Sequence, residues 1–178
     1  MMHEKDHETA IRHYTRVRSE YHINNALVNY NLGVAYLKSN RLSEALQMFQ
    51  QATILKPDYP AAIFNTAYIQ YRQENISEAI QTFSQAIKAK PAPEYAPELQ
   101  RIGIELSKSG RPNESIQFFL LAIQADPASD SSYFNLGIIL QRVGRVEAAL
   151  RAYRKTLAIN SDHTRAANNL KELLQTQH

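Results

Sequence analysis

Asn29-Tyr30-Asn31-Leu32-Gly33-Val34-Ala35-Tyr36, followed at fixed distances by Ala45, Phe49, Ala52 and Pro57, decides how the whole chain is read, because the pattern recurs with little drift. With Gly33 placed eighth in a unit that begins at Ala26, the next small residue in register is Ala67, then Gly103, then Gly137, at steps of 34, 36 and 34 residues. Ala45, Ala79, Ser115 and Ala149 keep the same register, as do Phe49, Phe83, Phe119 and Tyr153, and then Pro57, Pro91, Pro127 and Ser161. Self-similarity at one period is the mark of a repeat array and outweighs any local motif.

A period near 34 with small residues where two helices touch, and a Pro after the second helix, resembles the tetratricopeptide repeat. The resemblance covers nearly the whole chain and implies an all-α fold, a right-handed superhelical solenoid of antiparallel helix pairs. It departs from the family at the fourth position, where the favoured large aromatic survives only as Tyr133, with Asn29, Ile63 and Leu99 elsewhere. One solenoid over 1–178 is expected: a half-repeat helix at 8–20, full repeats at 26–59, 60–93, 96–129 and 130–163, and a capping helix at 164–178. In the first half-repeat Ala10, Tyr14 and Val17 take the inward positions. In the last, Ala167 and Leu170 take them, while Lys171, Glu172 and Gln175 suit solvent.

Turn chemistry marks the breaks between helices. Asn40, Gly110 and Gly144 share a position that favours a left-handed backbone, which Gly or Asn adopts cheaply, and Glu74 is the exception. Ser43, Ser77 and Asn113 are expected as N-caps, each followed by a Glu suited to the helix dipole. Pro57, Pro91 and Pro127 should stop the second helices. The joint from Lys90 to Pro97 is two residues longer than the others and carries three prolines, so a local change of stacking is expected there.

Composition narrows the function classes. The 178 residues are 44% hydrophobic and 21% charged, ordinary globular material, and twenty Lys plus Arg against seventeen Asp plus Glu leave only +3. That excess is too small and too scattered to imply nucleic-acid binding. With no Cys there are neither disulfides nor thiolate chemistry. No apolar run is long enough to span a bilayer, so membrane insertion is not expected and a cytoplasmic location is the simplest. His3-Glu4-Lys5-Asp6-His7 spells the H-E-x-x-H zinc string, but it lies at a terminus and lacks a third ligand nearer than His163 or His178. A solvated tail, no metal and no cofactor are therefore expected. No phosphate loop, nucleophile elbow or paired buried carboxylates occur, so the chain is not expected to be an enzyme.

The first helix of each unit carries the candidate site. Positions four, seven, eight and eleven form its internal face, while two, five, six, nine, twelve and thirteen lie on the opposite arc. In the first unit these are Leu27, Tyr30, Asn31, Val34, Leu37 and Lys38; in the second Ala61, Phe64, Asn65, Tyr68, Tyr71 and Arg72. In the fourth they are Ser131, Phe134, Asn135, Ile138, Gln141 and Arg142. A helix apolar on both sides is either buried on both sides or keeps one for a partner. Asn31, Asn65, Asn135 and Asn169 share position six, interrupted by Arg101, and Lys38, Arg72, Lys108 and Arg142 share position thirteen. An amide offers a donor and an acceptor together, which matches one peptide unit of an extended ligand. The Asn series is similar to that of peptide-gripping members of the family, O-linked N-acetylglucosamine transferases among them. The carboxylate clamp of chaperone-binding members is not matched, since its five positions read Tyr30, Val34, Asn65, Pro97 and Arg101 here and only Asn65 and Arg101 agree.

The sequence therefore leads to a protein-binding scaffold whose groove takes an extended segment carrying acidic and apolar residues. The alternatives are self-assembly through the two half-repeats, giving a homo-oligomer, and the partner-recruiting part of a larger enzyme such as a glycosyltransferase.

Overall fold

The second helices stop where the sequence places proline. α3 (Leu42–Leu55), α5 (Ile76–Ala89) and α7 (Pro112–Ala125) each end two residues before Pro57, Pro91 and Pro127, and α9 (Val146–Ile159) ends at the same distance from Ser161. The first helices are α2 (Ala26–Lys38), α4 (Pro60–Arg72), α6 (Ala96–Lys108) and α8 (Asp130–Arg142), flanked by α1 (Met2–Glu20) and α10 (Thr164–Gln175). The computed structural model describes residues 2–175, with side chains from residue 6 onward. All regular structure among these residues is helical: ten α-helices and a 3-10 turn at Pro93–Tyr95. The fold is an all-α array of antiparallel helix pairs.

The chain divides into two compact units, Met1–Lys90 and Pro91–His178, and the boundary falls in the proline-rich joint. In the first unit α2 pairs with α3 and α4 with α5, α3 packs on α4, and α1 covers α2. In the second α6 pairs with α7 and α8 with α9, α7 packs on α8, and α10 covers α9. Ile11 is the most buried side chain of α1, with Ala10 and Tyr14 beside it against Leu32, Ala35 and Met48. On α10 the buried residues are Ala166 and Leu173, while Ala167 is exposed and Leu170 half-buried, so this helix is turned by about one residue from the expected setting. Leu157, Ala167, Leu170 and Leu174 consequently line an open cleft of about 400 Å³ at this end.

The turns within the helix pairs are one structure made four times. The N–H groups of Arg41, Asn75, Arg111 and Arg145 donate to the carbonyls of Tyr36, Gln70, Leu106 and Leu140, at 2.9, 2.9, 2.9 and 2.8 Å. This closure needs a left-handed residue just before the donor, supplied by Asn40 (φ 57°), Glu74 (φ 63°), Gly110 (φ 74°) and Gly144 (φ 75°). Glu74 thus adopts the backbone of its repeat-mates although its Cβ is disfavoured there by about 1–2 kcal/mol. Glu74→Gly is expected to stabilise the chain by about 0.5–1 kcal/mol after the extra unfolded-state freedom of Gly is counted. Glu74→Ala, which keeps the Cβ, should give no such gain in urea denaturation, and equal behaviour of the two variants would remove the explanation.

The N-caps are not those expected. Helices α3, α5, α7 and α9 are preceded by Arg41, Asn75, Arg111 and Arg145, none of which makes a side-chain cap bond. Ser43, Ser77 and Asn113 lie inside the first turn, because the tight turn starts each helix earlier than the capping pattern implies. Acidic side chains still occupy that turn. Arg41 donates to Glu44 at 2.8 Å and Arg111 to Glu114 at 3.3 Å. The Arg41 bond, its largest influence, holds the Glu44 carboxyl below the usual range.

Candidate functional site

The arc opposite the internal face is not uniformly open, and its burial separates two stripes. In α4 and α8 positions three, five and ten are covered: Ala62, Phe64 and Ile69, then Ser132, Phe134 and Ile139. Phe64 is only 8% exposed and packs on Phe83 with ring centroids 4.7 Å apart. Phe134 is 5% exposed, between Tyr153 at 6.0 Å and His163 at 4.5 Å, with Arg165 over its face at 5.0 Å. Tyr30 leans the same way, on Phe49 at 5.8 Å and Tyr59 at 5.0 Å. Position five is therefore a packing position, and the expectation that Phe64 and Phe134 face a partner is corrected. A ring there meets the aromatic of its own second helix, and Tyr30 and Phe134 also meet the last residue of their units, so little surface remains for a ligand.

What stays reachable is a narrower stripe at positions two, six, nine and thirteen, whose spacing of four, three and four follows one side of a helix. In the first unit Asn31, Val34, Asn65 and Tyr68 lie half-buried along it, with Lys38 and Arg72 exposed. Arg72 reaches back to the preceding turn, donating to Asn40 Oδ1 at 3.2 Å, and sits over the Tyr68 ring at 5.9 Å. The Asn ladder divides in its hydrogen bonding. Asn65 donates to the Tyr30 hydroxyl at 3.4 Å and Asn169 to the Tyr153 hydroxyl at 3.2 Å. Burial pushes the Tyr153 phenol up, and the bond from Asn169 pulls the other way. Asn31 and Asn135, by contrast, make no side-chain hydrogen bond among the described residues.

Residues 91–178 hold the best-formed part of the stripe. Ile104, Lys108, Phe119, Asn135, Ile138 and Arg142 converge on a cleft of about 230 Å³ between α6 and α8. Ile104, 39% exposed, and Ile138 give it an apolar floor, and Lys108 and Arg142 stand at one end. Arg142 is steadied by donating to Ser107 Oγ at 3.0 Å. Four expected site residues, Lys108, Asn135, Ile138 and Arg142, are thus brought together, and Ile104 and Phe119 join them. Ile104 was open to detection in the sequence, since it is position nine of the irregular third unit.

Arg101 is otherwise engaged. It donates to Glu98 at 2.6 and 3.1 Å and to Glu105 at 3.1 Å. Glu98 and Glu105 occupy positions three and ten of α6, where α2, α4 and α8 carry buried Val28 and Ala35, Ala62 and Ile69, Ser132 and Ile139. An Arg between two carboxylates is largely neutralised and offers little to an acidic partner. Of the H-E-x-x-H string, His3, Glu4 and Lys5 lie outside the described side chains, as does His178. Among the described residues no three His, Asp or Glu form a group that could hold a metal, and no helix is long and apolar enough to cross a membrane.

Models described as tetratricopeptide repeat match residues 4–53, 30–93, 99–129 and 131–161. No curated protein matches the sequence. Among solved structures, the crystal structure of MamA is 19% identical with a TM-score of 0.65, covering 92% of this chain and 94% of its own. MamA of Desulfovibrio magneticus RS-1 is 16% identical with a TM-score of 0.54, covering 85% of each chain. YrrB, described as a TPR protein with an unusual peptide-binding site, is 19% identical with a TM-score of 0.59 over 92% of this chain and 83% of its own. At these identities the likeness establishes the fold.

Proposed function

The chain belongs to the tetratricopeptide-repeat family, and from that premise we propose that it is a non-catalytic scaffold that grips an extended segment of another protein along the open stripe of its first helices. The observation that carries this reading is the cleft between α6 and α8, where an apolar floor, an unoccupied amide and two cations face one space. Ile104 and Ile138 would bury an aliphatic side chain, Asn135 would pair with one peptide unit, and Lys108 and Arg142 would meet a carboxylate. One amide bond is worth about 0.5–1.5 kcal/mol net, while micromolar affinity needs about 8 kcal/mol. Apolar contact along the stripe must therefore supply most of the energy, at about 25 cal/mol per Å².

Self-assembly through the ends is the weaker reading. The cleft beside α10 is apolar, but the outward side of α1 carries Thr9, Arg12, His13 and the Arg16–Glu20 ion pair, whose burial there would cost the desolvation of charge. Selecting from a random peptide library displayed on phage tests the favoured reading. Captured peptides are expected to place Asp or Glu near Leu or Ile. Lys108→Glu with Arg142→Glu should weaken their binding by about tenfold or more and reduce its salt dependence, with helicity unchanged. Enrichment of basic peptides, or capture indifferent to the double substitution, would put the site elsewhere.

A further inference from the structure

A second cleft, of about 430 Å³, opens between α7 and α9 in residues 91–178 and shares no lining residue with the first-helix site. Its floor is the internal face of α8, Tyr133, Leu136 and Leu140, and one wall is Ile116 and Leu120 of α7, the latter 39% exposed. The other wall is α9, which presents Arg145, Arg151 and Lys155 along the rim, and no acidic side chain lines the space. Lys155 lies over the Tyr133 ring at 5.9 Å, and none of the three cations has an ion-pair partner among the described residues.

The repeat supplies its own control. Seventy residues earlier, in the matching places of the first unit, Leu120 becomes Gln50, Leu136 becomes Thr66 and Leu140 becomes Gln70. Arg145, Arg151 and Lys155 become Asn75, Gln81 and Gln85, and Ala148 becomes Glu78. Ile116 and Tyr133 keep apolar counterparts in Leu46 and Ile63, and Ala152 becomes Thr82, so the basic rim and the side chains of Leu120, Leu136 and Leu140 are not requirements of the fold.

We propose that this second-helix cleft binds a short amphipathic helix of another protein, apolar along its seam and acidic along its flank. The helical form follows from the backbone. Every wall is an α-helix whose N–H and C=O groups are already paired, and unlike the first-helix site with Asn135 this cleft is lined by no side-chain amide that could pair with a peptide unit. An extended segment buried here would therefore leave its own peptide groups without partners, whereas a helix satisfies them internally. The rim from Arg145 to Lys155 runs about 15 Å at 1.5 Å per residue, close to three turns. The cations set the sign of the flank.

The probe is a fluorescein-labelled designed helix of about four turns, with Leu at the seam positions, Glu on both flanks and Ala elsewhere, titrated against the full chain by anisotropy. The same helix with Lys for Glu is the control. Saturable binding of the Glu helix, at least about tenfold tighter than the Lys helix, is expected. Arg151→Glu with Lys155→Glu, both exposed, should weaken it by about tenfold or more, and Lys108→Glu with Arg142→Glu should leave it unchanged. Failure of the library selection above would leave this result untouched, which separates the two sites. The proposal is overturned by no saturable binding, by equal binding of both helices, or by loss through Lys108 and Arg142. It is equally overturned if single-stranded poly-dT, and not the helix, is the species released by the Arg151 and Lys155 substitutions.

Discussion

Phe134→Ala is expected to destabilise the chain by about 3–5 kcal/mol, the range for removing a buried ring and leaving a cavity. The ring is 5% exposed and touches Tyr153 and His163, so its loss removes contacts on two sides. Against a total folding stability of about 5–15 kcal/mol this is a large fraction. Phe64→Ala, at 8% exposure against Phe83, should fall at the low end of the same range. Ile138→Ala on the open stripe should cost less, about 1–2 kcal/mol, because that residue is only partly buried against the core. Urea denaturation, with hydrogen exchange to show that residues 91–178 lose protection first in Phe134→Ala, measures the contrast. A Phe134→Ala chain as stable as the parent, altered only in partner binding, would return position five to the groove.

Gly137→Ala should be destabilising by about 1–2 kcal/mol although Ala is the better helix former. A Cβ on Gly137 would stand 2.6 Å from Tyr153 Cε1 and 2.8 Å from Cδ1. Tyr153 is fully buried and pinned by its bond to Gln141 at 2.7 Å and the one from Asn169 at 3.2 Å, so the ring cannot swing aside without breaking them. Helix propensity returns about 0.8–1 kcal/mol, and overpacking costs about 1–3, so overpacking wins. At Gly103 the nearest ring atom is 3.1 Å away and belongs to Phe119, which has no hydroxyl to anchor it, so Gly103→Ala should be neutral within about 0.5 kcal/mol. Ala67 already occupies this register opposite Phe83, both fully buried, which demonstrates that a yielding ring accepts the methyl group. Tyr153→Phe in the Gly137→Ala background should recover part of the loss, a coupling that thermal melts of the four chains would resolve. Equal stability of Gly137→Ala and Gly103→Ala would mean that ring anchoring is irrelevant.

The candidate site was partly legible in the sequence. Lys108, Asn135, Ile138 and Arg142 could be placed on one side of their helices from spacing alone, and the structure brings them to one cleft. Arg101 could also have been read correctly, since Glu98 and Glu105 stand three residues before and four after it, the distances at which helix side chains meet. The cleft between α7 and α9 was missed because its residues come from three helices and share no single periodicity, although comparison of the repeats at a distance of seventy residues would have shown the polar-to-apolar exchange.

By itself the sequence determined everything that depends on local backbone chemistry and on the period. The 34-residue step gives the helix pairs, Pro marks three of the four second-helix stops, and Asn or Gly gives three of the four left-handed turns. Tertiary structure decided what local chemistry cannot. Glu74 takes the left-handed turn because the helices on either side must still pair, and that packing outweighs a penalty of about 1–2 kcal/mol. Phe64 and Phe134 are core rather than groove because periodicity shows which residues of a helix are apolar but not which neighbour covers them. Coverage of a first helix is set by second helices distant in the sequence, and only the folded chain brings those surfaces together.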